Sequence, residues 1–520
     1  MSRRTKVLGS LLLVLALLMG ACGSDDDSGD GGSDDTAAAK EVVSGGSATV
    51  VQPVDAATLD PTTPTNSPLV GSTVPSAVFD TLYLIDDDGG IIPRIATDFS
   101  SDDGITWTMT LRDGVTFSDG TPFDAEAVRA QWERIKENIR GTTYAYMQRI
   151  ASMTAVDPTT FEVVLTSENR QFYRTTLITS LQWIPSPTAY AEKGENFAND
   201  PVGAGPFVVT SRTQGSETVL EKNPTYWQDG LPKLDTLVVR TINDPQQAGD
   251  TVFTGGAQAA VGQTDQIAQQ AEEDGLTAMG VNMIGGGNWL YTDKRPPFDD
   301  IRARQAVYYA LDMEALNETI TGGAAETPKT LFPEASPFYN PDIEFPQPDP
   351  GEAQRLFDEL ASEGKPVSFV ILTPQGDNDT RARAMQTQLA SFENVEVQID
   401  AVDGSTYGTR LYTGDFDLAL YGLAGPDPEP QVAVFTTGWA NPIAIMNDPD
   451  IDAAVRAGET ATSVEDRKAA YDDLNVALND LFRITWMTRT KAWAIEAQDV
   501  GGLELYGMGT PLFENFGRLG

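Results

Sequence analysis

"DPGEAQRLFDELASEGKPVSFVIL", residues 349 to 372, places a capped amphipathic helix directly before an apolar strand. Asp349 can cap the helix, Pro350 suits its first turn and Gly364 can end it. The run PVSFVIL that follows is short and rich in apolar and β-branched residues, which predicts a strand. A helix feeding a buried strand in this way is typical of a parallel sheet covered by helices.

The same alternation continues downstream. Residues 380–392 are predicted to be a helix, and VEVQIDAV (395–402) and DFDLALYGL (415–423) are predicted strands. Nearer the N-terminus, ITWTMTLRDGVTFSDGTPF (105–123) alternates apolar and polar residues around two Asp-Gly pairs, which predicts short strands with tight turns. Together these patterns predict an α/β fold.

The N-terminus has the pattern of a secretory signal. Three basic residues precede an apolar stretch from Val7 to Met19 that is too short to span a membrane comfortably, so residues 1–21 are predicted to be a signal peptide. Met-Gly-Ala-Cys at 19–22 resembles the lipobox of bacterial lipoproteins, although Met19 replaces the usual leucine. The resemblance implies acylation of Cys22, the only cysteine of the chain. Ordinary secretion with an unmodified thiol is the alternative.

Charge and composition limit what the chain can do. With 35 basic and 76 acidic residues, the formal charge of −41 repels nucleic acid and anionic lipid headgroups, so no nucleic-acid partner is expected. A lipid would therefore have to provide any membrane attachment. Residues 22–46 contain few apolar groups and are predicted to form a flexible acidic tether.

Several kinds of chemistry are missing from the sequence. Histidine is absent and the sole thiol is predicted to be acylated, which removes His acid/base catalysis, Cys nucleophiles and ordinary zinc sites. Neither a nucleotide-binding P-loop nor a nucleophile elbow is present. We therefore predict no catalytic residues, no metal and no cofactor, and a binding protein rather than an enzyme. A glycosidase, which needs only two carboxylates, is the alternative from another class.

Several segments, in order, resemble the peptide-type (family 5) solute-binding proteins of ABC importers. These are LDP (59–61), LRDGVTFSDGTPFDAEAV (111–128), PVGAGPFVV (201–209), NPTYW (223–227), PKLDTLVVRTI (232–242) and PPFDDIRARQAVYYALD (296–312). The resemblance implies a two-lobe periplasmic-binding-protein-like α/β fold with an extra inserted subdomain in lobe 1. Its function would be that of a lipid-anchored substrate-binding component, which delivers a peptide or peptide-like solute to a separately encoded permease and ATPase.

The resemblance also implies domain boundaries. Lobe 1 would comprise 47–290 and 485–520, with the inserted subdomain at 81–200, and lobe 2 would comprise 293–484. Two strands would then cross a hinge near 290 and 485, and the lobes would close around the ligand. A monomer on the outer face of the cytoplasmic membrane is expected. The same fold could instead bind an oligosaccharide, an opine or a metal chelate, and a purely structural surface lipoprotein is a further alternative.

The candidate ligand site lies after the strand 415–423, because ligands of parallel sheets lie beyond the carboxyl ends of strands. In the loop AGPDPEP (424–430), Pro428 favours an extended backbone at Asp427. The family often has Asp-Pro here, and in its peptide binders the aspartate pairs with the ligand's α-ammonium, so Asp427 is the candidate anchor. Leu423 replaces a tryptophan that is usual in the family.

Four further residues are candidates for ligand contact. Tyr421, Trp439 and Asn441 lie near the same loop in sequence, and Trp289 lies beside a run of three glycines close to the predicted hinge. A role in the core or at the rim of the site is the alternative for each of them.

Overall fold

The computed structural model describes residues 41–520, except 63–70, 87–88, 138–141 and 440–445. The predicted signal peptide, most of the predicted tether and Cys22 therefore lie outside the described residues, as does Asn441. All described residues belong to one unit, Glu41–Gly520. No described helix combines the length and the apolar character that crossing a membrane requires.

The strands are β1 (Val42–Val43), β2 (Ser47–Gln52), β3 (Tyr83–Ile85), β4 (Ile91–Pro93), β5 (Ala96–Ser100), β6 (Thr106–Leu111), β7 (Ile150–Asp157), β8 (Thr160–Leu165), β9 (Phe207–Thr213), β10 (Glu217–Lys222), β11 (Thr236–Thr241), β12 (Ala259–Gln263), β13 (Thr277–Tyr291), β14 (Val367–Pro374), β15 (Val395–Val402), β16 (Leu418–Gly425), β17 (Ile484–Glu496), β18 (Val500–Gly501), β19 (Glu504–Tyr506), β20 (Thr510–Leu512) and β21 (Gly517–Leu519).

The helices are α1 (Thr73–Phe79), α2 (Ala125–Glu137), α3 (Thr142–Met147), α4 (Pro187–Lys193), α5 (Pro245–Phe253), α6 (Asp265–Glu273), α7 (Ile301–Tyr309), α8 (Met313–Thr321), α9 (Pro350–Ser362), α10 (Asp377–Leu389), α11 (Gly404–Thr413), α12 (Pro428–Gln431), α13 (Pro449–Thr460) and α14 (Val464–Leu481). Short 3₁₀ helices cover Phe172–Leu177, Ser180–Gln182, Gly194–Ala198 and Val432–Phe435.

A ten-stranded mixed sheet runs through the fold in the order β15-β14-β16-β13-β17-β12-β2-β11-β10-β9. β14 pairs in parallel with β15 and with β16, which confirms the parallel arrangement that the alternation of helices and strands predicts. In the other half of the strand order, β2 pairs in parallel with β11 and β12. A separate four-stranded antiparallel sheet has the order β5-β6-β8-β7. It contains β6, which lies in the segment 105–123 where short strands are predicted.

Two long strands join the two halves of the ten-stranded sheet. β13 and β17 pair antiparallel over most of their length, from Thr277 opposite Glu496 to Leu290 opposite Ile484. Their register shifts between Asn282 and Gly286 and again between Gly287 and Asn288, so the ladder is irregular in its middle. The predicted crossing points near 290 and 485 fall at one end of this strand pair.

The buried apolar side chains form separate clusters on either side of these strands. One cluster draws on residues 48–261 and on the C-terminal segment 494–516, and another lies beneath β14 and β16 with α7, α9 and α10. A third cluster joins Tyr146 and Leu177 to Tyr471 and Trp486. This third cluster links part of the predicted inserted subdomain to the predicted lobe 2.

Helix capping follows the sequence closely. The Asp349 side chain accepts a hydrogen bond from the Glu352 backbone N at 2.9 Å, and α9 begins at Pro350 as predicted. Ser463 caps α14 in the same way, accepting from Asp466 N at 3.0 Å. At the N-terminus, Val42 and Val43 pair with Leu519 and Arg518, so the folded body already includes residues that the sequence assigned to the tether.

Candidate functional site

A groove lies at the carboxyl ends of β2 and β12, where ligands of α/β sheets are expected. It consists of two adjoining cavities of about 240 and 460 Å³ that share Gln263 and Lys491. The smaller cavity is also lined by Gln52 at the end of β2 and by Pro53 after it, and the larger by Thr264–Gln266 after β12. The groove therefore lies between strand ends on one side and residues 320–325 and 380–381 on the other.

Gln263 reaches this groove from a distorted strand end. The pairing of β12 with β17 shifts register between Val261 and Gln263, and Gly262 has φ +66. Gln263 is 5% exposed, and its side-chain amide nitrogen donates to the Val261 carbonyl at 3.1 Å. Its Oε1 has no hydrogen-bond partner within the described part of the chain. A buried amide oxygen without a donor costs about 1–3 kcal/mol of stability.

The strands at the edge of the groove require glycine. Gly286 has φ +150, and a Cβ built on it would lie 1.9 Å from the Thr488 carbonyl oxygen of β17. Gly285 is similarly restricted, since its Cβ would lie 2.4 Å from the Leu423 carbonyl oxygen of β16. These positions bring the backbones of β13, β16 and β17 closer together than any side chain would allow.

A third cavity, of about 510 Å³, lies against β13 and the loop after β16. It is lined by Asp427 and Arg174 together with Tyr506, Phe338 and Asn282. Asp427 has the extended backbone that Pro428 favours, with φ −138 and ψ 152. Asp427 is 8% exposed, so little of its carboxylate is available to solvent.

The Asp427 carboxylate is bound by two buried arginines. Arg174 Nη1 donates to Oδ2 at 2.9 Å, and Arg467 donates to both oxygens. The Glu429 backbone N also donates to Oδ1 at 2.9 Å. One carboxylate thus pairs with two guanidinium groups, which leaves one net positive charge. Burial of Arg467, which alone would lower its pKa, is outweighed by Asp427 and Tyr471, which raise it.

Next to this ion cluster lies a buried carboxyl group. Glu429 is 1% exposed, and burial raises its pKa to about 8, with the nearby Glu459 adding to the shift and Arg149 and Arg467 opposing it. The Tyr471 hydroxyl approaches Glu429 Oε1 at 3.4 Å, whereas Oε2 has no partner within the described residues. Burial and the neighbouring acids therefore favour the protonated form of Glu429.

The ion cluster is part of a contact between distant segments. Arg149 forms an ion pair with Glu459 at 2.6 Å, and the Tyr146 hydroxyl donates to the Pro430 carbonyl at 3.2 Å. These contacts, like that of Arg174 with Asp427, join the predicted inserted subdomain to the predicted lobe 2.

Comparison with known proteins establishes the family. The family model described as bacterial extracellular solute-binding proteins, family 5 Middle, matches residues 90–441, which is more than half of the chain. The chain belongs to this family. Family 5 proteins are extracytoplasmic substrate-binding proteins that bind small peptide-like solutes and work with ABC permease and ATPase partners.

Individual proteins that resemble this family 5 protein are consistent with its family and its fold. The glutathione-binding protein GsiB of Salmonella paratyphi A is 28% identical over 441 residues, covering 80% of this chain and 84% of that protein. The dipeptide binding protein from Pseudoalteromonas sp. SM9913, solved with Met-Leu, superimposes with a TM-score of 0.76 at 21% identity, covering 91% of this chain and 100% of that one. DppA from Helicobacter pylori, solved with the peptide STSA, gives 0.77 at 20% identity, covering 92% and 99%. The fold is thus the α/β fold of two-lobe periplasmic binding proteins.

The structure places the predicted site residues of this family 5 protein in different parts of the fold. Asp427 lines the 510 Å³ cavity, while Tyr421, Trp439 and Trp289 line none of the three cavities described above. Trp289 is fully buried in the core beneath β14 and β16. Trp439 packs edge-on against Tyr146 at a centroid distance of 5.0 Å, and Tyr421 is half-buried on β16 opposite Asn288. Ligand contact by these residues stays a prediction.

Sequence reasoning missed the groove residues Gln263 and Lys491. A signal was present for the first, because Gly262 interrupts the strand pattern AAVGQ and Thr264 directly afterwards can cap a helix. Thr264 does accept from Ile267 N at 3.3 Å, which makes this a strand-to-helix junction at the carboxyl edge of the sheet. The arginine partners of Asp427 had no local signal, because they lie 253 and 40 residues away in the chain.

Proposed function

We propose that this protein is the substrate-binding component of an ABC importer, and that it captures a peptide or peptide-like solute in the groove at the carboxyl ends of β2 and β12. The observation that carries the proposal is the groove itself, two adjoining cavities of about 240 and 460 Å³ at the ends of these strands that share Gln263 and Lys491. Membership of family 5 and the absence of histidine support binding rather than catalysis.

The class of solute follows from the family and from the polar lining of the groove. Curated relatives are named glutathione-binding proteins, and solved proteins of the same fold hold Met-Leu or the peptide STSA. Another protein of this fold was solved with agropinic acid, so a non-peptide solute remains the second candidate. Threonines 264, 321, 380, 488 and 490 around the larger cavity supply hydroxyls for either kind of ligand.

We further propose that the body is divided into lobe 1 (47–290 and 485–520, with the inserted subdomain at 81–200) and lobe 2 (293–484). The hinge would lie where the chain crosses near 290 and 485, at one end of the β13–β17 ladder. Closure would then make the contacts of Arg174 with Asp427 and of Arg149 with Glu459, since each pair would join the two lobes. In this proposal Asp427 would be the anchor for the ligand's ammonium group, which would bind the carboxylate alongside Arg174 and Arg467.

Attachment to the membrane is proposed from the sequence alone. Acylation of Cys22 would hold the protein at the outer face of the cytoplasmic membrane, and the acidic tether would let the body reach its permease. Several acyl chains are needed for stable attachment, at about 0.8 kcal/mol per buried methylene. The body would act as a monomer.

Native mass spectrometry of the freshly purified protein, followed by a thermal-shift panel of peptides and sugars, tests this function. A retained guest of peptide mass, or a rise in Tm with peptides but not with sugars, is expected, because a ligand that binds only the native state stabilises it. Stabilisation by sugars alone would favour a non-peptide receptor. Hydrolysis of chromogenic glycosides by the protein would refute a pure binding function.

A further inference from the structure

One stretch of chain forms a wall of both the groove and the third cavity. Between α8 and α9, residues 322–349 are all described and contain no helix or strand. Ala324 and Ala325 from this stretch line the larger groove cavity, and residues 333 and 335–338 line the third cavity. We call residues 324–338 the wall segment. A long irregular stretch inside a compact fold is usually functional, so what holds this segment in place matters for the site.

The wall segment is held at its start, its end and its middle. At its start, the Asn317 side chain of α8 donates to the Ala325 carbonyl at 2.6 Å. At its end, Phe338 packs edge-on against Tyr471 of α14, with the ring centres 5.0 Å apart. Its middle, residues 326–331, is held by a side chain of β17. This middle part lies between the residues that line the groove and those that line the third cavity.

Arg489 is the side chain that holds the middle of the wall segment. Its Nη2 donates to the Thr330 carbonyl at 2.9 Å, and its Nη1 donates to the Leu331 carbonyl at 2.8 Å. Nη1 also donates to the Gly285 carbonyl of β13 at 3.3 Å, and Nε donates to Glu326 Oε1 at 3.1 Å. These four bonds use four of the five guanidinium N–H groups, and the side chain is 2% exposed. Arg489 therefore joins β13, β17 and the wall segment and has little capacity left for a solute.

The charge of Arg489 makes this attachment strong. Burial lowers the pKa of Arg489, and Glu326 opposes that shift. The Glu326 side chain is itself 43% exposed, so it is only a partial counter-charge for a buried guanidinium. A buried charge is tolerated when hydrogen bonds replace its water, and here the carbonyls of the wall segment and of β13 replace it. Moving residues 326–331 away from β17 would break several bonds to a buried cation at once.

Resting on the proposed function, we infer that Arg489 is a positioning residue for solute binding, which acts by holding the wall segment against β13 and β17. The solute does not bind to Arg489 itself. Because the same segment borders the groove and the third cavity, Arg489 sets the shape of both.

The test measures solute affinity and the mobility of the wall segment on the purified protein. The probe is the peptide that gives the largest rise in Tm in the thermal-shift panel, and its dissociation constant is measured by calorimetry well below the Tm of every variant. Arg489→Met should weaken binding by about 10-fold or more, because the solute must then order the loosened wall segment. Hydrogen–deuterium exchange without peptide should become faster in residues 326–331.

The matched control is Arg304→Met, because Arg304 is also a buried arginine that donates to backbone carbonyls. It is 6% exposed and binds the carbonyls of Phe298 and Leu481 at 2.5 and 3.0 Å. It does not line any of the three cavities described above. The control should lower the Tm as Arg489→Met does, but should leave the dissociation constant of the probe and the exchange of residues 326–331 unchanged.

If Arg489→Met does not fold, Arg489→Lys replaces it, because lysine keeps the charge but cannot bind all the same carbonyls; binding should weaken in the same direction. Unchanged affinity in a folded Arg489 variant, unchanged exchange of residues 326–331, or an equal loss of affinity in Arg304→Met would overturn the inference while leaving solute binding intact. If no peptide of the panel binds the wild type, the proposed function fails and the inference fails with it.

Discussion

The buried acid Glu429 gives the most quantitative prediction. It is 1% exposed, its Oε2 has no partner among the described residues, and burial raises its pKa from 4.5 to about 8. The charged groups that face it are Glu459 and Asp427, which favour the proton, and Arg149 and Arg467, which oppose it. The perturbation is Glu429→Gln, which keeps the shape of the protonated acid and removes its titration.

The sign follows from proton linkage. Below about pH 4.5 both the folded and the unfolded protein carry the Glu429 proton, so the group does not affect the pH dependence of stability. Between pH 4.5 and about 8 only the folded protein holds the proton, and stability is lost as the pH rises, at about 1.4 kcal/mol per pH unit. From pH 5 to pH 8 this group lowers the free energy of unfolding by up to about 4 kcal/mol.

Glu429→Gln should therefore unfold at nearly the wild-type urea midpoint at pH 5, and should be more stable than the wild type by roughly 2 to 4 kcal/mol at pH 8. Urea unfolding followed by circular dichroism at pH 5, 6, 7 and 8 measures this difference. Glu393→Gln, at an exposed position, is the control and should follow the wild type at every pH. A difference between Glu429→Gln and wild type that is independent of pH would refute the reasoning.

Three other changes have defined outcomes. Asp427→Asn leaves two buried arginines without their carboxylate and should lower the free energy of unfolding by about 3 to 5 kcal/mol in urea titrations. If Asp427 also anchors a ligand ammonium, calorimetry should show weaker binding of peptides with a free amino terminus, by about 2 to 5 kcal/mol. Binding of N-acetylated peptides should not change. Gly286→Ala should destabilise the fold by at least about 2 kcal/mol, because its Cβ would clash with backbone, whereas Gly422→Ala, with open space around it, should be nearly neutral in thermal melts. Cys22→Ser should move the protein from the membrane fraction to the soluble fraction of expressing cells, and continued membrane retention would argue against acylation.

The fold was predictable to the extent that its signals are local. Asp349 and Ser463 cap their helices as the sequence predicts, because the acceptor and the backbone donor lie only three residues apart. The strand boundaries around VEVQIDAV are those predicted, since β-branched residues favour extended backbone there. The helix predicted at 380–392 begins and ends three residues earlier, at Asp377–Leu389, which is an ordinary shift for a helix without a side-chain cap.

The site was less predictable because its decisive contacts are between distant residues. Pro428 correctly predicts the extended backbone at Asp427, but nothing near Asp427 in sequence indicates that Arg174 binds its carboxylate. Likewise, nothing in the sequence indicates that Arg489 and Lys491 pair with the same carboxylate, Glu326. These ion pairs are set by the fold and not by neighbouring residues in the sequence.

Hydrogen–deuterium exchange of the purified protein, with and without a peptide that raises its Tm in the thermal-shift panel, tests solute binding in this groove most directly. The account predicts slower exchange at residues 259–266, which end β12 and begin α6, and in the β17 segment that carries Lys491. Unchanged exchange in both segments while the peptides demonstrably bind, with protection confined to the cavity around Asp427, would contradict it.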